Sequence, residues 1–146
     1  MQGDCEVFHG FYYSPGELSG LQALVGRYIG GGGGLLIISG PSGCGKTLLA
    51  QGIAAEASLA GLRCHTAPAG AVAQQLVRAV IDKQSPWQQL AELLRYDLLT
   101  LEDFDYLAGK EHTRQLVWGA LLQPLPHAGR KVLLTIAAVF ILVFFT

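Results

Sequence analysis

The sequence predicts an α/β fold, a three-layer α/β/α sandwich with a mainly parallel sheet. Three observations support this prediction. Short apolar runs alternate with helix-length segments, a glycine-rich motif joins one such run to the following helix, and a pair of acidic residues ends another run. Strands that alternate with helices in this way form parallel sheets with helices packed on both faces.

Composition limits the class of protein. The chain has 146 residues, enough for one domain with a hydrophobic core. Hydrophobic residues make up 51% and charged residues 14%, which excludes a disordered chain, and the formal net charge of −1 gives no support for a strongly electrostatic nucleic-acid binder. Cys5, Cys44 and Cys64 lack metal-type spacing and are expected to be reduced thiols, so we predict a cytoplasmic protein.

The first half of the chain contains two predicted helices around one predicted strand. Apolar positions recur at helical spacing over residues 17–29, and the glycine run 30–34 is a flexible connector. Residues 35–38 form a continuous apolar run that is typical of a buried parallel strand. A second helix follows over 46–61, where Gly61 ends it.

The second half continues the alternation. Ser85-Pro86 separates two predicted helices, and Pro124 with Pro126 is expected to end a third. The predicted elements are strands at 62–67, 98–101 and 131–135 and helices at 71–82, 86–95 and 111–125.

An apolar run, Val132–Phe145, follows Arg130-Lys131 near the end of the sequence. A helix that spans a bilayer needs about 20 apolar residues, and this run is shorter. We therefore favour a buried strand that continues into an apolar tail over a membrane anchor. Residues 136–145 are expected to be prone to aggregation, because they combine high β-propensity with no charge. Residues 1–10 do not resemble a secretory signal.

The motif Gly40-x-x-x-x-Gly45-Lys46-Thr47 lies between a predicted strand and a predicted helix, the context of a phosphate-binding loop. Glycines let successive backbone N–H groups point at phosphate oxygens, and the helix N-terminus adds partial positive charge. Lys46 is predicted to bind the β- and γ-phosphates, and the Thr47 hydroxyl to ligate Mg²⁺. Cys44 occupies a variable position and is expected to be a filler. The predicted nucleotide-binding residues of this loop are Gly40, Pro41, Ser42, Gly43, Cys44, Gly45, Lys46, Thr47 and Leu48.

The segment "YDLLTLEDFDYLAGKE" (96–111) places Glu102 and Asp103 after an apolar strand. Acids at the carboxyl end of a parallel strand lie at the crevice where such sheets bind ligands. The segment resembles the Walker B region of the DnaA-type bacterial replication initiators, which are AAA+ ATPases with a run like "LLLIDDIQFLAGKE" at this place. The match of Tyr106–Glu111 to "FLAGKE" is specific, because no general requirement of phosphate binding produces it.

The resemblance extends over residues 8–135. The segment "FHGFYYSPGE" (8–17) is similar to the entry segment of the family, which implies that Phe11, Tyr12 and Tyr13 flank the adenine. Ordinary core aromatics are the alternative for these three residues. The segment "GRKVLLT" (129–135) is similar to the sensor 1 strand, which implies that Thr135 senses the γ-phosphate and that this strand lies between strands 35–38 and 98–101.

The resemblance also implies a catalytic set, cofactors and partners. ATP and Mg²⁺ would be the cofactors, with Thr47 on the metal, Glu102 in its outer shell and Asp103 polarising the attacking water. The implied function is a nucleotide-dependent assembly switch in DNA replication initiation or its regulation. Implied partners are ATP or ADP, neighbouring copies that associate through the nucleotide site, single-stranded or origin DNA, and replication proteins. The helices that touch DNA in the family carry Arg78, Lys83 and Arg95 here, and a solvated face is the simpler interpretation.

Two departures from the family matter. Glu102 stands where the family usually has Asp, and an apolar segment replaces the polar run expected after Thr135. We therefore expect one AAA+ domain over 1–146, with its core at 8–135 and an atypical tail at 136–146, but no arginine finger, lid or helix-turn-helix domain. Hydrolysis by this chain is expected to be very slow. Two alternatives stay open: a small phosphotransferase of the nucleotide-kinase kind, and a remnant that binds nucleotide or a partner without turnover.

Overall fold

Strands and helices alternate along the chain in a computed structural model, which describes residues 6–8, 11–13, 15–31, 34–39, 45–85, 87–107 and 110–136. The strands are β1 (Glu6–Phe8), β2 (Phe11–Tyr13), β3 (Gly34–Ser39), β4 (Cys64–Pro68), β5 (Leu98–Glu102) and β6 (Lys131–Ile136). The helices are α1 (Pro15–Gly30), α2 (Lys46–Leu59), α3 (Ala69–Ile81), α4 (Trp87–Leu93), α5 (Glu111–Val117) and α6 (Pro124–His127). The predicted break at Ser85-Pro86 falls between α3 and α4.

The main sheet has four strands in the order β3, β6, β5, β4, and all three pairings are parallel. β6 therefore lies between β3 and β5, as the resemblance implies. This arrangement confirms the predicted insertion of residues 131–135 between 35–38 and 98–101. All four strands point their carboxyl ends to one edge of the sheet, which fixes where a ligand site can form.

Helices cover both faces of this sheet, which confirms the predicted three-layer sandwich. Side chains alternate between the faces along each strand. Leu98 and Leu133 pack against α1 and α2, where Val25, Ala50 and Ile53 are buried. The opposite face carries the larger core, in which β5 and β6 pack against α3 to α6; its strand residues are Leu99, Leu101, Val132, Leu134 and Ile136.

Two hydrogen bonds tie the C-terminal end of α1 to the start of β6. The Tyr28 hydroxyl donates to the Val132 carbonyl at 2.8 Å, and Lys131 Nζ donates to the Gly31 carbonyl at 2.5 Å. Burial, and to a lesser extent the nearby Cys64, raises the pKa of the Tyr28 hydroxyl well above its ordinary value, so it stays protonated as a donor. Lys131 is only 5% exposed, and its ammonium lies at the negative end of the helix dipole.

A small antiparallel hairpin precedes α1, and sequence analysis did not predict it. β1 and β2 pair with Phe8 opposite Phe11 and Glu6 opposite Tyr13. Strands of three residues give too short a pattern to identify from alternation. The backbone of Phe11, Tyr12 and Tyr13 forms β2, and their side chains lie outside the described part of the chain.

The helix predicted over 111–125 is three segments, and the prediction that prolines end it was wrong. After α5 the backbone widens into a π-helical turn at Trp118–Leu122, with the Gln123 N–H bonded to the Trp118 carbonyl at 3.0 Å. Pro124 then occupies the first position of α6, where its missing N–H costs no hydrogen bond. The wider turn lets the helical path continue past a residue that would otherwise break it.

Among the described residues, no helix combines the length and the apolarity that crossing a bilayer requires. The apolar tail predicted at 136–145 lies almost wholly outside the described residues. Its first residue, Ile136, is buried as the last residue of β6.

Candidate functional site

The N-terminus of α2 follows β3 at the carboxyl edge of the sheet. Gly45 is its N-cap, with φ 96° in the left-handed region that glycine adopts without strain, and its carbonyl accepts the Leu49 N–H at 3.0 Å. Lys46 and Thr47 form the first turn, half-buried and exposed respectively, and Leu48 is 44% exposed. Gly40, Pro41, Ser42, Gly43 and Cys44 lie outside the described residues.

The first turn of α2 has the features of an anion site. No described side chain caps it, and it contains no acidic residue. The first N–H groups of a helix have no partner within the helix, and the dipole adds positive charge at the same place. A phosphate placed there would satisfy these donors, and the Lys46 side chain belongs to the same turn. These residues therefore fit a nucleotide phosphate group.

Glu102 and Asp103 lie at the same edge, at the end of β5. Asp103 has φ 55°, a left-handed conformation that Asp tolerates better than most residues. Its backbone N–H donates to Thr135 Oγ1 at 3.0 Å. Thr135 is 1% exposed near the end of β6, so its hydroxyl fixes the turn that follows β5. The structure thus brings together the three residues predicted to be catalytic.

Replacing Thr135 with valine keeps the side-chain shape but removes the acceptor for the Asp103 N–H. We expect the free energy of unfolding to fall by about 1–2 kcal/mol, the usual effect of leaving a backbone donor unpaired. Urea denaturation of Thr135→Val, with Thr135→Ser as the matched control, measures this effect. A serine variant as unstable as the valine variant would show that the hydroxyl makes no contribution.

The Glu102 carboxyl is half-buried, and its environment opposes its charge. Partial burial raises the pKa of Glu102, and the adjacent Asp103 charge raises it further. A bound cation would relieve both effects, because it supplies the positive charge that this carboxylate lacks. The site therefore favours either a proton or a metal ion at Glu102.

The raised pKa predicts a pH-dependent gain in stability for Glu102→Gln. Stability linked to this carboxyl is fully present below its ordinary pKa and is lost as pH rises through the raised folded value. Because Gln mimics the protonated form, the variant should melt at a higher temperature than wild type at pH 7, with the difference vanishing near about pH 4. The exposed Glu92→Gln on α4 is the control for thermal melts at both pH values. A Glu102→Gln variant that melts below wild type at pH 7 would contradict the prediction.

A cleft with a cavity of about 600 Å³ opens between α3 and the start of α5. Its floor includes Ala73, Val77 and Leu107, and its charged lining residues are Arg78, Lys110 and Asp82. Arg78 is one of three basic residues that the sequence places on these helices; the other two, Lys83 and Arg95, are exposed but do not line this cleft. The position of Lys110 in the cleft could not be predicted from the sequence, because only folding brings the segment after β5 beside α3.

Arg130 lies at the opposite edge of the sheet from Glu102. It immediately precedes β6, where its Nε donates to the Leu94 carbonyl at 3.0 Å and its guanidinium lies 3.6 Å from Asp97. Asp97 also accepts the Arg63 N–H at 2.9 Å, and this bond, with the two arginine charges, lowers the pKa of Asp97. Arg130 therefore forms an ion pair at the end of the strands opposite to Glu102.

The fold is of the AAA+ type, and the site is that of an ATP-binding domain. The chain belongs to the family described as "IstB-like ATP binding protein", whose profile matches residues 32–137. No curated protein sequence matches the chain significantly.

Solved structures show the same fold. The chain is similar to domain III of the replication initiation protein DnaA from Thermotoga maritima, with a TM-score of 0.70 and 22% identity over 88% of this chain and 55% of that one. A replication initiator DnaA bound to AMPPCP and single-stranded DNA matches with a TM-score of 0.63 and 22% identity, over 84% and 38% of the two chains. The DnaC helicase loader matches with a TM-score of 0.60 and 19% identity, over 84% and 70%. The resemblance to DnaA is thus confirmed in the fold, and the chain spans about two fifths to half of these DnaA chains.

Proposed function

We propose that this chain is an ATP-dependent switch that acts on single-stranded DNA in replication initiation or helicase loading. The observation that carries the proposal is the hydrogen bond from the Asp103 N–H to Thr135 at the edge where α2 begins. It joins the acid that would face the attacking water to a second strand of the sheet. Membership of an ATP-binding family supports ATP as the nucleotide that this site binds.

Different described residues would bind the phosphates of ATP and the Mg²⁺ ion. The N–H groups at the start of α2 and the Lys46 ammonium would hold the phosphates, and the Thr47 hydroxyl would ligate Mg²⁺. Glu102 would lie in the outer coordination shell of Mg²⁺. The positive charge of the metal would offset the energetic cost of the partly buried carboxylate. Mg²⁺ supplies positive charge against the β- and γ-phosphate oxygens when bound.

Thr135 would act as the sensing element of the switch. Its hydroxyl accepts the Asp103 N–H, and a hydroxyl can donate its own proton at the same time. A nucleotide with a third phosphate would offer an acceptor that a diphosphate lacks. Movement of Thr135 toward that acceptor would shift Asp103 through their shared bond, and neighbouring copies or bound DNA could respond to the change.

The cleft between α3 and α5 is the proposed contact for DNA. A DnaA structure of the same fold is described as bound to single-stranded DNA. Here Arg78, Lys110 and Thr113 line the cleft and would contact a sugar-phosphate backbone, with two positive charges against the one carboxylate of Asp82. The formal net charge of −1 means that such a local patch, rather than the whole protein, would attract the strand.

Fluorescence anisotropy with a labelled single-stranded oligonucleotide tests this contact in the presence of ATP. Arg78→Ala combined with Lys110→Ala should weaken binding at least about tenfold and reduce its salt dependence, because two phosphate contacts are lost. Lys83→Gln is the control, since Lys83 is exposed outside the cleft. Equal affinities for the double variant and the control would show that the cleft does not bind the DNA strand.

Direct pairing of strands 35–38 and 98–101 would have favoured the first alternative, the nucleotide-kinase-like phosphotransferase. β6 separates these strands, so we do not propose that function. The non-hydrolysing binder shares every residue of the site and differs from the switch only in turnover. An ATPase measurement distinguishes the two.

A further inference from the structure

One buried hydroxyl of the main sheet has no hydrogen-bond partner among the described residues. Thr100 is the third residue of β5 and is only 2% exposed. Its Oγ1 atom is buried, and no residue in the described part of the chain bonds to it. A buried hydroxyl without a partner costs folding free energy, and in a native protein such a group usually binds a water or an ion or serves a functional site. Thr100 therefore indicates a ligand close by.

The hydroxyl of Thr100 lies on the face of the sheet that α2 covers. Side chains alternate between the faces along β5, so Thr100 shares a face with Leu98, which packs in the core beneath α2. The residues beside Thr100 in the parallel pairings are Thr66 on β4 and Leu133 on β6. Leu98 and Leu133 offer no side-chain polar atom, and Thr66 is exposed. A partner for Thr100 must therefore come from farther along the same face.

The candidate nucleotide site lies in that direction. Glu102 follows Thr100 on the same face of β5, toward the carboxyl edge of the sheet. α2 begins at this edge with Lys46 and Thr47 and packs against β5, with Ala50 fully buried one turn later. Thr100 therefore lies at the bottom of a crevice between β5 and the first turn of α2, and Glu102 lies at its mouth.

We propose that Thr100 is a positioning residue for Glu102 at the Mg²⁺ site, acting through one shared water; this inference rests on the proposed function. Two residues on one face of a strand are about 6.6 Å apart. A water that bonds to both side chains spans about 5.5 Å, because each of its hydrogen bonds is about 2.8 Å long. A water buried at this depth needs at least two polar partners, and the hydroxyl and the carboxylate supply them.

The chemistry of the two groups fits this bridge. A carboxylate accepts only, so the water donates one proton to Glu102 and uses its remaining groups for Thr100, whose hydroxyl can both donate and accept. The Glu102 side chain has several rotatable bonds, and a bond from below would fix the carboxylate before the metal arrives. Groups that orient the carboxylates around a metal ion in this way strengthen metal binding. Thr100 would therefore contribute to the Mg²⁺-dependent part of ATP affinity.

Isothermal titration calorimetry of the full chain with ATP, in Mg²⁺ and then with EDTA in place of Mg²⁺, tests this role. Thr100→Val removes the hydroxyl and nearly keeps the shape, and should weaken Mg²⁺–ATP binding about three- to tenfold without changing the affinity in EDTA. Thr100→Ala also lacks the hydroxyl and should show the same loss, whereas Thr100→Ser keeps it and should bind as wild type does. Thr66→Val is the matched control, the same substitution at the exposed neighbour on β4. Thermal melts verify that each variant is folded.

A double-mutant cycle tests whether Thr100 acts through Glu102. In a Glu102→Gln background, Thr100→Val should change the Mg²⁺–ATP affinity less than about twofold, because the carboxylate that it orients is gone. Equal Mg²⁺–ATP affinity for Thr100→Val and wild type would overturn the inference. A loss that is as large in EDTA, or a Thr100→Ser variant as weak as Thr100→Val, would overturn it too, because packing rather than the hydroxyl and the metal would then explain the effect. A wild type that does not bind ATP would overturn the proposed function and this inference with it.

Discussion

The Lys46→Ala variant should bind Mg²⁺–ATP at least about 100-fold more weakly than wild type, a loss of about 3 kcal/mol. Lys46 opens α2 beside the left-handed Gly45, in a turn that no described side chain caps. Removing its ammonium leaves the β- and γ-phosphate charge to the backbone N–H groups and Mg²⁺. Isothermal titration calorimetry with ATP and Mg²⁺ measures the difference.

Lys83→Gln is the matched control, because it removes one positive charge from an exposed position after α3. Its affinity for ATP should equal that of wild type. Thermal melts should show that Lys46→Ala is folded, because a half-buried residue in the first turn of α2 contributes little to the hydrophobic core. If Lys46→Ala bound ATP as tightly as the control, the phosphates would have to lie elsewhere.

Hydrolysis by the purified chain should be slow, below about one turnover per second, and Asp103→Asn should abolish what remains. Turnover needs held phosphates, an oriented water and positive charge against the transition state, and an arginine that supplies this charge raises the rate by about 10³–10⁵. Arg63 and Arg130 cannot supply it here, since both contact Asp97 at the far edge of the sheet. Phosphate release at saturating ATP measures the rate.

Asp103→Asn suits this test because Asn also tolerates the left-handed backbone of this position, so the variant changes charge with little strain. The Asp103 N–H can still reach Thr135. Glu92→Gln provides a matched control for the loss of one carboxylate. Turnover above about one per second that depends on Asp103 would show that the chain contains a complete catalytic set, contrary to this prediction.

Local pattern was sufficient for much of the fold. The apolar runs at 35–38, 98–101 and 131–135 are strands because each is bounded by glycine, acid or charge, and the helix after Gly45 begins where the phosphate motif ends. The strand order did not follow from these patterns. It came from the resemblance of residues 129–135 to the sensor 1 strand of the family, since periodicity carries no information on which strands are neighbours.

Other features depended on contacts between distant residues and could not be predicted. The bond between Asp103 and Thr135 joins residues 32 positions apart, and no local signal marks it. Pro124 appeared to end a helix, but a π-helical turn before it lets the path continue. Lys131 was predicted to lie in a strand, and no sequence pattern indicates that its buried ammonium donates to the Gly31 carbonyl.

The position of β6 in the sheet determines when the protein can fold during synthesis. Its neighbours β3 and β5 are made earlier, and β3 emerges more than 90 residues ahead of it. At about 5–20 residues per second, the ribosome needs roughly 5–20 s to reach β6 after finishing β3. During that interval α1 also lacks its anchors, because Val132 and Lys131 do not yet exist. β4 and β5 can pair during synthesis, whereas β3 and α1 must wait for β6, so β3 joins the sheet only in a late step.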